Sequence, residues 1–370
     1  MAGAILPTSG APAMALAILT TYLTPYRIPL YERLAERFGA EVLCYGGGER
    51  YVPAWFADLD AQLARAPFPA RRIDGPGAAL RAARTHDAVI APFAGGAMLP
   101  AAYAGTRLGG GRFVLWASVW APPRSASHVL ARPLTDRIYR HADGVIAYGE
   151  HVRAFVSAIR GHGDGVFVAP QSVEAELFGR RVETTEVAEF RRRHDLPDRP
   201  IALYVGRLVP EKGIEVLLQA WSGIEATLVV IGDGPLAGAA ARASGVRVLG
   251  ARPRSELPVA YAAAELAVLP SIPTPRFREP WGLVCNEAMH QGRPVIATDA
   301  VGAVAGGLVR DGVTGIVVPA GDASALRGAL ERLLADGELR ARLGHTAVQA
   351  VAAYNYEAMV EAFARALGRY

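Results

Sequence analysis

The chain has 370 residues, 51% hydrophobic and 20% charged, with a formal net charge of +4; that is enough apolar content for two packed globular domains and too polar for a membrane-spanning bundle. Its basic residues are scattered through Ala- and Gly-rich sequence, and no basic stripe alternates with aromatics, so nucleic acid is not an expected partner, while a weakly basic face toward an anionic membrane stays open. Its two cysteines, Cys44 and Cys285, form no CxxC pair and no histidine cluster has zinc spacing, which argues against a disulfide framework or a zinc site and fits a reducing cytoplasm.

In chain order, Met1 to Ala13 reads as a loose extension. The apolar run Met14 to Leu23 has no basic residue before it and is closed by Pro25, so it reads as a first buried strand and not as a signal peptide. Short apolar runs bounded by Gly, Pro or Asp then recur with helical stretches between them: ALAILTTYL, AEVLCYGG, DAVIAPF, GRFVLWAS, DGVIAYG and DGVFVAP. This is the βαβ pattern of a parallel sheet covered on both faces. After Pro170 the chain turns polar, with Glu183 to Arg193 an exposed helix and Leu196 to Pro200 a connector. A second series follows: IALYVGRL, ATLVVIGDG, VRVLG, LAVLPS, PVIATD and GIVVPA. The predicted organisation is a doubly wound, Rossmann-like domain over residues 1–175, a second over 176–355, and an amphipathic helix in 356–370 placed by analogy back on the first domain. Such sheets bind ligands outside the carboxyl ends of their strands, so two of them facing one another create a cleft.

GRLVPEKG, Gly206 to Gly213, follows the strand IALYV and leads into a helical stretch, so Arg207 and Lys212 leave a strand end together. Arginine offers a planar fork for phosphate oxygens and lysine a compact point charge, a combination suited to a pyrophosphate. An arbitrary Arg/Lys pair is usually two solvated loop charges. Here composition shifts the balance, because Lys212 is the single lysine among 39 basic residues. Further on, REPWGLVCNEAMHQGRPVIATD sets Glu279 and Glu287 with seven residues between them, across the turn Pro280, Trp281, Gly282. A helix starting there puts Glu287 near two turns inside it and leaves the amides of Gly282, Leu283 and Val284 facing a ligand, since the first turn of a helix has unpaired donors and partial positive charge. A D-x-D also occurs, Asp58 and Asp60 in WFADLDAQL, but no strand precedes it and it reads as an exposed helix face.

With the landmarks YVGRLVPEKG, VVIGDGP, VLGARPRSEL, EPWGLVCNEAM, GRPVIATDAVGA and VRDGVTGIVVPAGD in this order, the chain resembles the retaining glycosyltransferases of family 4. The resemblance is specific over Ile201 to Asp322 and looser before it. It implies the GT-B fold, an α/β architecture of two doubly wound Rossmann-like domains facing across a cleft. It further implies that Arg207 and Lys212 bind the donor diphosphate, that Glu287 holds the ribose hydroxyls, and that Glu279 contacts the transferred sugar near its 3- or 4-hydroxyl with the amides of Gly282, Leu283 and Val284. Arg252 matches a position beside the nucleotide base, through its backbone. The implied reaction moves a hexose-type sugar from a UDP- or GDP-sugar to a glycan, a lipid-linked or a small-molecule acceptor with retention at the anomeric carbon. No permanently bound cofactor and no metal are expected; a phosphate oxygen takes the acceptor proton, and charge stabilisation and positioning carry the catalysis. The implied location is the cytoplasm, including the inner face of the membrane.

The first domain departs from the family pattern. The loop TTYLTPYRIPLYERL has no glycine; Thr20, Thr21 and Thr24 offer hydroxyls, with Thr21 and Tyr22 expected on the acceptor side and Thr24 equally an ordinary helix N-cap. The family's middle-strand histidine is missing: Ser118 or Trp120 stands near its place, and His128 arrives later as a candidate sugar contact or weak base, or as a surface histidine beside Pro-Pro. Trp116 and Trp120 are candidate cleft aromatics, with core packing the competing account for Trp116. His86 and His151 carry no readable signal. PTPRFR, Pro273 to Arg278, is a candidate contact for donor or acceptor. Two further readings remain: a GT-B phosphorylase or epimerase, and a nucleotide-sugar-binding GT-B protein with little or no turnover. A pyridoxal-phosphate phosphorylase needs a Schiff-base lysine, and Lys212 is the only lysine.

Overall fold

The apolar runs become the strands of two parallel sheets in a computed structural model, which describes residues 14–46, 58–93, 96–122, 125–275 and 277–369. The extension Met1 to Ala13 lies outside them. The first sheet holds β1 (Leu16–Thr20), β2 (Glu41–Cys44), β3 (Ala70–Arg72), β4 (Ala88–Pro92), β5 (Arg112–Ala117), β6 (Gly144–Ala147) and β7 (Val166–Val168), in the order β3-β2-β1-β4-β5-β6-β7. The second holds β8 (Ile201–Val205), β9 (Thr227–Ile231), β10 (Val246–Gly250), β11 (Leu266–Leu269), β12 (Val295–Thr298) and β13 (Gly315–Val318), in the order β10-β9-β8-β11-β12-β13. In both, the chain winds outward from an inner strand, returns and winds the other way. That is the Rossmann order, with switch points between β1 and β4 and between β8 and β11. The registers there pair Leu16 with Ala88 and Ile18 with Ile90, and Ala202 with Leu266 and Leu203 with Ala267.

These strands read as continuous apolar runs because both faces of a parallel sheet are covered. In the second sheet Ile201, Leu203, Val229 and Ile231 pack on one face with Tyr261 and Met289, while Ala202, Tyr204, Leu228 and Val230 pack on the other with Trp221 and Leu330. Strand alternation sends neighbours to opposite layers. The sequence reading gave the first sheet six strands, and the structure adds β3. It is a short edge strand with no apolar run to betray it. Its Arg71 pairs with Glu41 of β2 at 2.8 Å, and charge on an edge strand blocks unwanted pairing.

The chain divides into two compact units: a smaller one with the described residues of Met1–Gly48 and Asp58–Val114, and a larger one with those of Leu115–Tyr370. In the larger unit the last helix, Tyr356–Ala366, packs on β6 and β7. Its Phe363 ring meets Trp116 edge-on at 5.1 Å, and Trp116 is 4% exposed, a core residue and not a ligand platform. In the smaller unit Asp58 caps the helix Leu59–Ala64 by accepting from the Ala61 amide at 2.9 Å, and Asp60 lies 3.6 Å from Arg72. Among the described residues no helix is long and apolar enough to cross a membrane, and no three His, Cys, Asp or Glu side chains are grouped to hold a metal ion.

Candidate active site

The carboxyl ends of β8 and β11, neighbours at the switch point of the second sheet, carry the two motifs. The chain leaves β8 through Gly206 and closes a 3-10 turn at Pro210–Lys212, followed by Gly213 with φ 69°. A Cβ at Gly213 would lie 1.9 Å from the Pro270 carbonyl oxygen, so only glycine lets this loop touch the one that follows β11. The Ile272 amide donates to the Glu211 carbonyl at 3.0 Å, tying the same loops.

This contact brings Lys212 to Glu279. The ammonium donates to Glu279 Oε2, which also accepts from Ser271 Oγ at 3.0 Å. It also lies 5.4 Å from the centroid of the Phe277 ring. The two side chains are 15% and 7% exposed; a charge at that depth is tolerable only when paired. Arg207 is half-buried in the same loop, its carbonyl accepting from the Tyr204 hydroxyl at 2.7 Å. Among the described residues no ion pair engages its guanidinium.

The helix Leu283–His290 begins after Gly282, whose φ of 95° lies in the left-handed region and whose Cβ would stand 2.5 Å from the Leu269 side chain. Its first amides, at Leu283 and Val284, have no intrahelical partners. Glu287 is the fifth helical residue, just over one turn inside and not two. It is buried, and its Oε2 accepts from the Tyr261 hydroxyl at 2.7 Å. Burial pushes the carboxyl's pKa above the usual range, countered in part by the Tyr261 bond and the nearby Arg254 charge. Arg254 itself grips both oxygens of Glu174 at 2.5 and 2.6 Å. The Arg252 guanidinium folds back and donates to the Leu249 carbonyl near the end of β10.

Two aromatic side chains from beyond β5 and β6 reach the same segment. The Trp120 indole N–H donates to the Glu279 carbonyl at 3.1 Å, and the Arg278 guanidinium stacks 4.1 Å from the Trp120 ring centroid. His151 meets Trp120 edge-on at 5.1 Å, and its Nε2 lies 3.2 Å from the Pro280 carbonyl. Burial lowers the His151 pKa, so the ring stays neutral and donates there. A cavity of about 500 Å³ opens beside them, lined by Ser118, Trp120, Pro122, Thr274, Phe277 and Arg278 among others.

The structure thus gathers Arg207, Lys212, Glu279, Gly282, Leu283, Val284, Glu287 and Trp120 within the larger unit, with Arg252 on the neighbouring loop after β10. Among the described residues no contact brings His128 to them: His128 is exposed in the first turn of the helix Ala126–His141, with Nδ1 2.5 Å from Ser125 Oγ. Thr21 and Tyr22 follow β1 in the smaller unit, at that sheet's switch point; the Thr21 carbonyl accepts from the Gly46 amide at 2.9 Å and Thr20 Oγ1 donates to the Tyr22 carbonyl at 3.2 Å. Thr24 stands at the N-cap position of the turn Pro25–Arg27 without making a side-chain cap bond. His151 is the residue the sequence reading passed over. Its one signal was position, four residues past the carboxyl end of β6, where such sheets place ligand contacts.

Residues 186–350 match the family of glycosyl transferases group 1. The matched segment holds every second-sheet residue of the site and stops short of the last helix. Over 213 residues the chain is 37% identical to an alpha-D-kanosaminyltransferase of Streptomyces kanamyceticus, covering 54% of this chain and 52% of that protein. Over 233 residues it is 30% identical to a GDP-mannose-dependent alpha-(1-6)-phosphatidylinositol monomannoside mannosyltransferase of Mycolicibacterium smegmatis, covering 58% and 59%. The chain spans about half the length of these curated relatives. HepE of Anabaena, solved in complex with UDP-glucose, aligns with a TM-score of 0.79 at 20% identity, over 96% of this chain and 99% of that one. At that identity the likeness concerns the fold, the two Rossmann-like domains of the GT-B class.

Proposed function

We propose that the protein is a retaining, metal-independent glycosyltransferase that moves a hexose-type sugar from a UDP- or GDP-sugar to a glycan, lipid-linked or small-molecule acceptor in the cytoplasm or at the inner face of the membrane. The observation that carries the reading is the Lys212–Glu279 contact at the β8/β11 switch point, inside the segment that matches the group 1 family. Arg207 and Lys212 hold the donor diphosphate, with the amides of Gly282, Leu283 and Val284 adding fixed positive dipole. Glu279 accepts from a hydroxyl of the transferred sugar, Glu287 from the ribose, and the backbone at Arg252 borders the base. Thr21, Tyr22, Trp120 and His128 are assigned to the acceptor side, and His128 reaches the acceptor only through movement of its exposed helix turn.

In the reaction, the bond between the anomeric carbon and the leaving phosphate oxygen breaks while the acceptor oxygen bonds to the same face of that carbon. The acceptor's proton passes to a phosphate oxygen, and the products are the glycosylated acceptor and a nucleoside diphosphate. Negative charge grows on the leaving oxygen during this step, and Arg207 and Lys212 are the cations assigned to stabilise it. The test is release of nucleoside diphosphate from UDP-glucose and GDP-mannose by the purified chain, with and without EDTA. Turnover of at least one donor, insensitive to EDTA and lost in Lys212→Ala, is expected. Absence of nucleotide binding in a thermal-shift screen of UDP, GDP and ADP overturns the reading.

A further inference from the structure

The cavity beside Trp120 combines an apolar wall with a single kind of charge. Rings and prolines dominate it: Trp120, Phe277, Pro122, Pro273, Pro275 and Pro280. Of its hydroxyls, Thr274 Oγ1 already accepts from the Phe277 amide at 3.0 Å. Among the described residues of the lining one is ionisable, Arg278. Its guanidinium carbon lies 4.1 Å from the Trp120 ring centroid, a cation–π contact made without any of the group's N–H bonds, which suit a bidentate oxyanion. The carboxylate next to it in sequence, Glu279, is committed to Lys212 and Ser271. Among the described residues no carboxylate pairs with Arg278.

We propose that this cavity is the acceptor subsite and takes a ring compound bearing an oxyanion, a phosphate ester or a carboxylate, with Trp120 and Phe277 packing on the ring and Arg278 anchoring the anion. The position supports this use. Phe277 turns toward Lys212 and also walls the cavity, and Trp120 holds the Glu279 carbonyl, so an occupant lies against the residues assigned to the donor sugar and diphosphate. A plain alkyl chain would gain nothing from the Arg278 charge, and a neutral polyol would find few partners on the proline wall. The inference rests on the glycosyltransfer reading and narrows its acceptor to an anionic class.

The experiment is calorimetric titration of phenyl phosphate into the protein saturated with whichever of UDP or GDP raises its melting point more, so that the diphosphate clamp is filled. Phenol, inorganic phosphate and benzoate are titrated in parallel, and the series is repeated on Arg278→Gln and Arg278→Lys. A charge-assisted bond of this kind contributes enough that phenyl phosphate should bind at least about tenfold more tightly than phenol and lose about tenfold or more in Arg278→Gln. Arg278→Lys should fall between, keeping the charge and losing the fork. Benzoate separates carboxylate from phosphate recognition, and inorganic phosphate, lacking the ring, should bind more weakly than phenyl phosphate. Arg278 is exposed and outside the core, so the variants should melt with the wild type. Phenyl phosphate binding that ignores Arg278, or phenol binding equally well, overturns the subsite while leaving the donor reading intact. If no nucleotide binds at all, the donor reading falls, and the Arg278 dependence of phenyl phosphate binding still decides the cavity.

Discussion

Lys212 and Glu279, 67 residues apart in the chain, form one hydrogen-bonded ion pair at the meeting of two strand-end loops. Removing one member of a buried pair strands the other, at a cost of about 3–5 kcal/mol when fully buried. With Lys212 15% exposed, we expect Lys212→Ala to fall at the lower end, about 3 kcal/mol by urea unfolding. Donor turnover should drop at least about a hundredfold, the scale of losing a fixed transition-state contact. In Lys212→Ala/Glu279→Ala the stability should partly return, because no unpaired charge remains. The activity should not. Equal recovery of both would mean that the pair is structural only.

Glu287 gives a pH prediction. Its carboxyl pKa in the fold is raised by burial above the unfolded value. Between those two values the native state binds more protons than the unfolded one, so this group's contribution to stability is full below the ordinary carboxylate pKa and is lost as pH rises through the raised one. Nucleotide binding runs the other way, since the ribose hydroxyls need an ionised acceptor. Affinity for the cognate nucleoside diphosphate should therefore start to weaken, on acidification, at a higher pH than an ordinary carboxylate imposes. Tyr261→Phe removes the hydrogen bond that favours the ionised form and should move that transition to still higher pH. Glu287→Gln should flatten it. A pH profile identical in all three proteins would detach Glu287 from the ribose.

His151 and Trp120 touch backbone carbonyls of the Glu279–Pro280 segment and not the residues assigned to the nucleotide. Toward the donor both act as positioning residues, and the Trp120 ring also walls the acceptor cavity. Trp120→Phe keeps a ring and loses the donor, and His151→Ala loses ring and donor; each should lower kcat by about tenfold, the worth of one buried hydrogen bond and its alignment. Nucleoside diphosphate affinity should stay unchanged. His151→Gln, which retains a donor, should recover part of kcat. If these variants instead weaken nucleotide binding with kcat intact, the two side chains belong to the donor site itself.

What the sequence made legible follows the range of the interaction involved. The second sheet's six strands, the loops carrying Arg207, Lys212 and Glu279, and the helix start ahead of Glu287 were readable because apolar runs and strand-end segments are local signals. The bond from Trp120 to Glu279 spans 159 residues and that from His151 to Pro280 spans 129; no spacing rule reaches so far. β3 escaped because Arg71 and Arg72 give no apolar run. Thr24 has the residue type of a cap but makes no cap bond, since residue type states capacity and only the local backbone decides its use.

The close approach of the two donor loops can be tested apart from any chemistry. Gly213 has φ 69° and a blocked Cβ position, whereas Gly321 has φ 84° with nothing within 4 Å of its Cβ. Alanine at either site must adopt a left-handed backbone, at roughly 1–2 kcal/mol. Only at Gly213 must the Pro270 backbone also move, and with it the segment that carries Ser271 and Glu279. Gly321→Ala should therefore lose about 1–2 kcal/mol in urea unfolding and keep full donor turnover. Gly213→Ala should lose measurably more, and its turnover should fall with its stability because Lys212 and Glu279 no longer meet. Matching losses at the two positions would show that the β8 and β11 loops do not depend on contact at Gly213, and the pairing of Lys212 with Glu279 would need another cause.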